Sequence, residues 1–164
     1  MKNKIKLMSL TGILTAMVFI FTAYVHIPSH TGYIHVGDSL IYLAACLLPF
    51  PYAMFVGAVG ALLADLLTGY AIWAPASVII KATAVLFFSR KQKILGTRNL
   101  TALIPASVLC IGGYYLYEAI ITANPIAPLA GIPGYVIQSL LSCTVFLVLG
   151  AIFDKSKLCR RIFK

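Results

Sequence analysis

The chain alternates between long apolar runs and short polar or turn-rich connections. Six of the apolar runs have the length of helices, and they cover Leu7–Ile27, Asp38–Leu48, Tyr52–Thr68, Pro75–Ser89, Leu100–Ile121 and Gly134–Phe153. Runs of this kind are typical of helices that cross a lipid bilayer, where each segment must pair its own backbone polar groups. The pattern therefore predicts an all-α polytopic membrane protein, with six transmembrane helices forming a single domain over residues 1–164.

The second apolar run is too short to cross a bilayer by itself. From Asp38 to Leu48 a helix covers about 17 Å at 1.5 Å per residue, against a hydrocarbon core of about 30 Å. Pro49 and Pro51 fix its inner end, so its outer end must lie below the outer surface. The loop Pro28–Gly37 then has to dip inward, which is possible only where protein or a cavity shields its backbone. We expect Asp38 at the wall or floor of an outward-facing pocket, with this first outer loop acting as a lid.

The third run carries a face of small residues. These residues recur at helical spacing and are Ala53, Gly57, Gly60, Ala61, Ala64 and Thr68. Helices in membranes are held together by close packing, which small side chains permit. The spacing predicts that neighbouring helices approach this one closely.

The composition agrees with a membrane protein. Apolar residues make up 61% of the chain and charged residues 10%, whereas soluble domains have about 45–50% and about 25%. Of the 13 Lys and Arg residues, only Lys81 lies inside a span, while the others precede the first span, separate the fourth from the fifth, or follow the sixth. The positive-inside rule predicts cytoplasmic termini in a multi-pass protein of the cell membrane, which we expect to be a bacterial plasma membrane. The net charge of +9 is thus explained by the membrane topology. We expect the protein to contact the lipid bilayer and to bind no nucleic acid.

Polar residues inside the spans all fall in the outer half of the predicted bundle. Charges within hydrocarbon are expensive and mark functional sites. An aromatic-walled pocket with a few convergent polar groups suits a small, flat, hydrogen-bonding ligand. The predicted substrate-binding residues are Asp38, Tyr42, Asp65, Trp73, Lys81, Tyr114, Glu118, Asn124 and Gln138, with Tyr33, Tyr70, Tyr117 and Tyr135 as further aromatic neighbours.

Each of these residues also has a simpler interpretation. Asp65 and Glu118 could reach the lipid headgroups, and the tyrosines could belong to an interfacial aromatic belt. Lys81 could extend its ammonium to the interface, or it could form a purely structural ion pair with Asp65 or Glu118. The sequence leaves open which acid pairs with Lys81.

Other chemistry finds little support in the residue pattern. His26, His30 and His35 lie in or beside the first outer loop, but their spacing fits no recurrent metal site and no cysteine joins them. We therefore expect no metal site here. We expect the histidines to be hydrated or to contact the ligand. The four cysteines occur singly and are interpreted as small residues of the membrane core. The chain has no protease, hydrolase, nucleotide or dinucleotide motif, so we expect no enzyme and no cofactor bound by this chain.

Several segments together resemble the substrate-binding (S) components of energy-coupling factor (ECF) transporters. They are Gly12 with Ala16 in the first span, YIHVGDS at residues 33–39, GALLADLLTGYAIWAPA at residues 60–76, Lys81, Gly113-Tyr114 with Glu118, and Pro133-Gly134 with Gln138. The closest variety is the riboflavin, pyridoxine and hydroxymethylpyrimidine-like group, with carriers of queuosine precursors as relatives.

The resemblance implies a six-helix subunit that captures a vitamin-like or nucleobase-like micronutrient from outside. It implies docking on a transmembrane coupling subunit driven by two cytoplasmic ATPases, so that ATP is used by partner subunits. The AxxxA docking pattern of the family appears here as Gly12-x-x-x-Ala16, where glycine keeps the surface flat.

Two other classes of membrane protein fit the sequence less well. A stand-alone proton-coupled carrier could use Asp65, Lys81 and Glu118 as a relay, but such carriers usually contain inverted repeats, and the sequence shows none. An intramembrane enzyme would need a nucleophile and a base, for which no pair is evident.

Overall fold

The computed structural model describes residues 2–29, 33–90 and 93–156, and within them the prediction of six helices is confirmed. The helices are α1 (Lys2–Ala23), α2 (Gly37–Leu47), α3 (Phe50–Leu67), α4 (Ala74–Ala84), α5 (Thr97–Ile121) and α6 (Ile132–Lys155). Single 3-10 turns cover Ala71–Trp73, Val85–Phe87 and Ala127–Gly131, and two short strands, β1 (His26–Pro28) and β2 (Tyr33–His35), lie between α1 and α2.

Four of the six helices, namely α1, α3, α5 and α6, are long and apolar enough to cross a membrane. The shorter α2 and α4 are apolar as well. Every residue of α2 is buried, so this helix is enclosed by its neighbours and does not face lipid. This enclosure explains how a helix of 11 residues can serve in a membrane protein. The predicted fourth span was too long as a single α-helix, because a tighter 3-10 turn replaces it at Val85.

The strands β1 and β2 form an antiparallel hairpin that the sequence analysis did not predict. His26 pairs with His35, Ile27 with Ile34, and Pro28 with Tyr33. The first helix consequently ends at Ala23 and not at the predicted Ile27. Pairing the two strands satisfies backbone groups in a loop that dips into the bundle, as an apolar setting requires.

The small residues of α3 lie against neighbouring helices, as the sequence predicts. A Cβ atom added to Gly57 would lie 3.0 Å from the carbonyl oxygen of Lys81 in α4, and one added to Gly60 would lie 2.6 Å from a methyl group of Val18 in α1. Any larger side chain would push these helices apart. Gly57 therefore sets the position of α4, and with it that of Lys81, whereas Gly60 sets the position of α1.

Polar contacts tie together the end of the bundle that carries the basic residues. The Asp154 carboxylate, near the end of α6, accepts hydrogen bonds from the backbone N–H groups of Ile94 and Leu95 at 2.8 and 3.0 Å. Arg90 Nε donates to the Leu47 carbonyl at the end of α2. The hairpin and the starts of α4 and α6 lie at the opposite end. The positive-inside rule assigns the basic end to the cytoplasm, and this orientation stays a prediction.

Candidate functional site

A small cavity lies beneath the hairpin, at the end of the bundle opposite to the basic residues. Its volume is about 40 Å³. Residues from the hairpin, from the end of α3, and from α4, α5 and α6 surround it. The lining residues are Tyr33, His35, Asp65, Tyr70, Trp73, Ser77, Tyr114, Tyr135 and Gln138.

Aromatic rings form most of the cavity wall and contact one another. The Tyr114 and Tyr135 rings stack with centroids 5.7 Å apart and an interplanar angle of 25°. Trp73 meets the edge of Tyr114 at 6.0 Å, and Tyr33 lies against Tyr70 at 4.6 Å. Contacts of this kind orient large apolar surfaces toward the cavity, and the tyrosine hydroxyls add polar positions.

Asp65 is the acidic residue of the cavity wall. Its side chain is only 4% exposed. Its Oδ1 atom accepts a hydrogen bond of 2.6 Å from the Tyr33 hydroxyl of the hairpin. Among the described residues, none donates a hydrogen bond to the buried Oδ2 atom.

A buried ion pair lies next to the cavity. Lys81 Nζ is 2.8 Å from Asp38 Oδ2, and both side chains are 2% exposed. Gln138 Nε2, from the cavity lining, donates to the same oxygen at 3.3 Å. The ammonium also lies 4.9 Å from the centroid of the Tyr114 ring, in a cation–π contact. The partner of Lys81 is thus Asp38, and both alternatives drawn from the sequence, Asp65 and Glu118, were wrong.

One protein-family model matches almost the whole chain. The family model described as "ECF-type riboflavin transporter, S component" matches residues 2–155. The chain belongs to this family. The S component is accordingly a substrate-binding subunit of a vitamin transporter, embedded in a membrane through its spanning helices. The resemblance drawn from the sequence is confirmed.

A solved structure and a curated relative are also similar to this S component. The structure is titled "Structure and mechanism of the S component of a bacterial ECF transporter" and superposes with a TM-score of 0.69 over 94% of this chain and 96% of that one, at 20% identity. It supports the fold. The relative is an uncharacterized protein of Pyrococcus woesei, 30% identical over 132 residues, which cover 79% of this chain and 87% of the relative.

Glu118 stands behind the cavity wall of the S component. It is 4% exposed, and its Oε2 atom accepts a hydrogen bond of 2.7 Å from the Tyr135 hydroxyl. Because Tyr135 lines the cavity and Glu118 does not, Glu118 orients a lining residue from behind. The burial of Lys81, Asp65 and Glu118 contradicts the alternatives in which these side chains extend to the lipid headgroups.

Two of the predicted substrate-binding residues lie away from the cavity. Tyr42 stacks on Phe88 with ring centroids 4.7 Å apart and is fully enclosed in the core one helical turn beyond Asp38. Asn124 is exposed, and its Oδ1 atom accepts a local hydrogen bond from the Ile126 N–H. Ser77, which does line the cavity, was missed, although it lies one turn before Lys81 on the same helical face.

His35 is the histidine that reaches the cavity. It is 6% exposed, and its Nδ1 atom accepts a hydrogen bond from the Gly37 N–H. Burial lowers the pKa of His35 to about 4, so the ring is neutral at pH 7. His26, its partner across the hairpin, packs on Tyr33 at 4.8 Å, and His30 lies outside the described residues.

No group of three or more His, Cys, Asp or Glu side chains gathers at one place within residues 2–29, 33–90 and 93–156. Cys46 and Cys110 are buried, and Cys143 is partly buried. Cys159 lies outside the described part of the chain.

The predicted docking residues Gly12 and Ala16 both lie on the exposed side of α1. A Cβ atom added to Gly12 would meet nothing within 4 Å. A groove of about 290 Å³ borders this face, lined by Met8, Thr11, Gly12, Tyr52 and Phe55. The opposite side of α1, with Val18, packs against α3. The two small residues therefore leave a surface open and do not serve packing within the bundle.

Proposed function

We propose that this S component captures a small, flat aromatic micronutrient, vitamin-like or nucleobase-like, from the side of the membrane opposite to the basic end. The observation that carries the proposal is the set of aromatic rings that encloses the cavity beneath the hairpin. Flat rings stack on such walls, and the polar groups between the rings fix the orientation of a ligand.

Riboflavin is the first candidate, because the matching family carries its name. Its tricyclic ring is flat and has hydrogen-bond donors and acceptors along its edges. Pyridoxine, hydroxymethylpyrimidine and queuosine precursors offer smaller rings of the same general kind. Each has the flat heteroaromatic character that the cavity wall favours.

The size of the cavity supports a capture mechanism in which the hairpin moves. At about 40 Å³, the cavity has room for only about three water molecules, because each needs about 10–15 Å³ of such volume. Ligand pockets usually measure about 300–1,000 Å³. The ligand therefore enters when the hairpin and its Tyr33 side chain move outward, and the hairpin then closes over it as a lid.

Trp73 gives a direct test of this proposal. It is the single tryptophan of the sequence, and it lies in the cavity wall. We expect saturable quenching of its fluorescence when riboflavin is titrated into the detergent-purified protein, with pyridoxine and hydroxymethylpyrimidine as comparison ligands. Trp73→Phe should remove the signal while calorimetry still detects binding. Saturable binding detected by calorimetry without any change in Trp73 fluorescence would contradict the proposed site.

We also propose that delivery requires a transmembrane coupling subunit and two ATPases on the cytoplasmic face of the cell membrane. The exposed small residues Gly12 and Ala16 on α1 support close approach of a partner helix. Tagged protein purified from its native membrane should bring down these subunits. A protein that comes down alone and transports its substrate in proteoliposomes under a proton gradient would instead be a stand-alone carrier.

A further inference from the structure

We infer that the Asp65 carboxylate links ligand recognition to closure of the hairpin. One of its oxygens holds the hairpin through Tyr33, and the other accepts a hydrogen bond from an N–H or O–H group on the edge of the bound ring. The inference rests on the proposed function and adds a chemical requirement, namely that the ligand carries a donor at this edge.

A hydrogen bond between Tyr33 of the hairpin and Asp65 of α3 holds the hairpin closed. Tyr33 Oη lies 2.6 Å from Asp65 Oδ1, a short distance that is typical of a hydroxyl donating to a carboxylate. The Tyr33 ring is held between Tyr70 at 4.6 Å and His26 at 4.8 Å, so its hydroxyl is oriented toward Asp65. Both residues line the cavity. This contact fastens the hairpin across the opening.

The other carboxylate oxygen of Asp65, Oδ2, is available to accept a hydrogen bond from the ligand. Asp65 Oδ2 is buried in the cavity wall and has no hydrogen-bond partner within the described residues. The nearby ammonium of Lys81 is bound to Asp38. The Ser77 hydroxyl lies near Asp65 and is 3.0 Å from the Tyr114 hydroxyl, in a hydrogen bond that either group can donate. A buried carboxylate oxygen without a donor is costly. A donor on the ligand supplies the missing contact.

The two contacts have separable consequences, because they use different oxygens of one side chain. Removing the Tyr33 hydroxyl weakens closure and leaves the ligand's acceptor in place. Converting Asp65 to asparagine places an amide, with its own N–H donors, where the ligand needs an acceptor. The first change should act on the dissociation rate, and the second should act on which ligand is preferred.

The test uses riboflavin and riboflavin methylated at its imide nitrogen, which differ only in one donor. We expect the wild type to bind riboflavin about ten- to a hundred-fold more tightly, as one lost hydrogen bond to a charged group implies. Asp65→Asn should bind the two flavins with nearly equal affinity. Tyr33→Phe should keep the preference but release riboflavin faster, by about ten-fold. Tyr24→Phe, at a ring that is 73% exposed, is the matched control and should behave as wild type.

Closure has its own readout, which needs no ligand. Collisional quenching of Trp73 by acrylamide should increase in Tyr33→Phe and stay close to the wild-type value in Asp65→Asn, whose amide oxygen can still accept the Tyr33 hydrogen bond, and in Tyr24→Phe. Unchanged accessibility of Trp73 in Tyr33→Phe would overturn the role of the Tyr33–Asp65 contact in closure. An Asp65→Asn protein that binds riboflavin and still rejects the methylated flavin would overturn the ligand half and leave the proposed function intact. A wild type that binds no flavin would overturn the flavin assignment and the ligand half together.

Discussion

Lys81 Nζ lies 2.8 Å from Asp38 Oδ2, and this ion pair joins α4 to α2 beside the cavity. Neither residue lines the cavity, whereas Ser77, one turn earlier on α4, does. The pair therefore fixes the helix that carries a cavity wall. Burying a single charge without its partner is far more costly than burying the pair, so the two side chains depend on each other.

We expect Lys81→Met and Asp38→Asn each to lower the free energy of unfolding by about 3–5 kcal/mol, because each change leaves one uncompensated buried charge. The double variant should recover most of the loss. Melting temperatures of the ligand-free protein in detergent measure the effect, and Lys93→Met, at an exposed lysine, is the control.

The same variants distinguish a structural pair from a ligand contact. A structural pair predicts that the double variant still binds riboflavin within a few-fold of wild type. Single variants that melt like wild type but fail to bind, together with a double variant that also fails, would place Lys81 and Asp38 in contact with the ligand.

Gly57 should tolerate no side chain, because it faces the Lys81 carbonyl at the contact between α3 and α4. We expect Gly57→Ala to destabilise the protein by about 1–3 kcal/mol through overpacking. Gly12→Ala is the matched control, since a Cβ atom there meets nothing within 4 Å. Equal melting temperatures for the two variants would show that the helices are not closely packed at Gly57.

Stability should fall with acidification through His35. Its pKa is about 4 in the folded protein, against an ordinary value of 6.5. Between about pH 4 and 6.5 this histidine binds a proton in the unfolded chain but not in the folded protein. The free energy of unfolding is therefore highest above about pH 6.5 and falls as the pH drops toward about 4. His35→Gln should flatten this part of the melting profile, whereas His26→Gln should retain it. An identical slope in His35→Gln would exclude His35 as the source.

A large side chain on the exposed face of α1 should block transport without affecting capture. We expect Ala16→Trp to abolish uptake in cells, because it prevents close approach of a partner helix. Riboflavin affinity of the purified variant should stay within a few-fold of wild type. Ile104→Trp, at a residue of α5 that is 70% exposed, is the control and should transport normally. Normal uptake by Ala16→Trp would contradict the docking role of this face, whereas loss of both riboflavin binding and uptake would indicate that the variant misfolds.

The sequence predicted the helices well, because apolar runs and their interruptions reflect the bilayer directly. It also predicted the close-packing face of α3, where small residues recur at helical spacing. The hairpin was not predicted, since strands of three residues leave no detectable alternation. Its pairing depends on the surrounding bundle and not on local propensity.

The candidate site was predicted in part. From their depth along the helices, Asp65, Trp73, Tyr114 and Gln138 were predicted to lie close together, and all four line the cavity. Depth alone could not identify the partner of Lys81, because helix rotation and the order of helices around the bundle decide which acid faces it. The unknown helix rotation also explains why Tyr42 was wrongly placed at the cavity. Its depth is suitable, but its side chain points into the core.

Native mass spectrometry of the detergent-purified protein tests the central claim most directly, because it detects a retained ligand without assuming its identity. We predict one bound flat aromatic molecule in the wild type and its loss in Ser77→Trp, which fills the cavity. Gly12→Ala, on the outer face of α1, should retain it. A molecule retained equally by Ser77→Trp would contradict the assignment of this cavity as the substrate site.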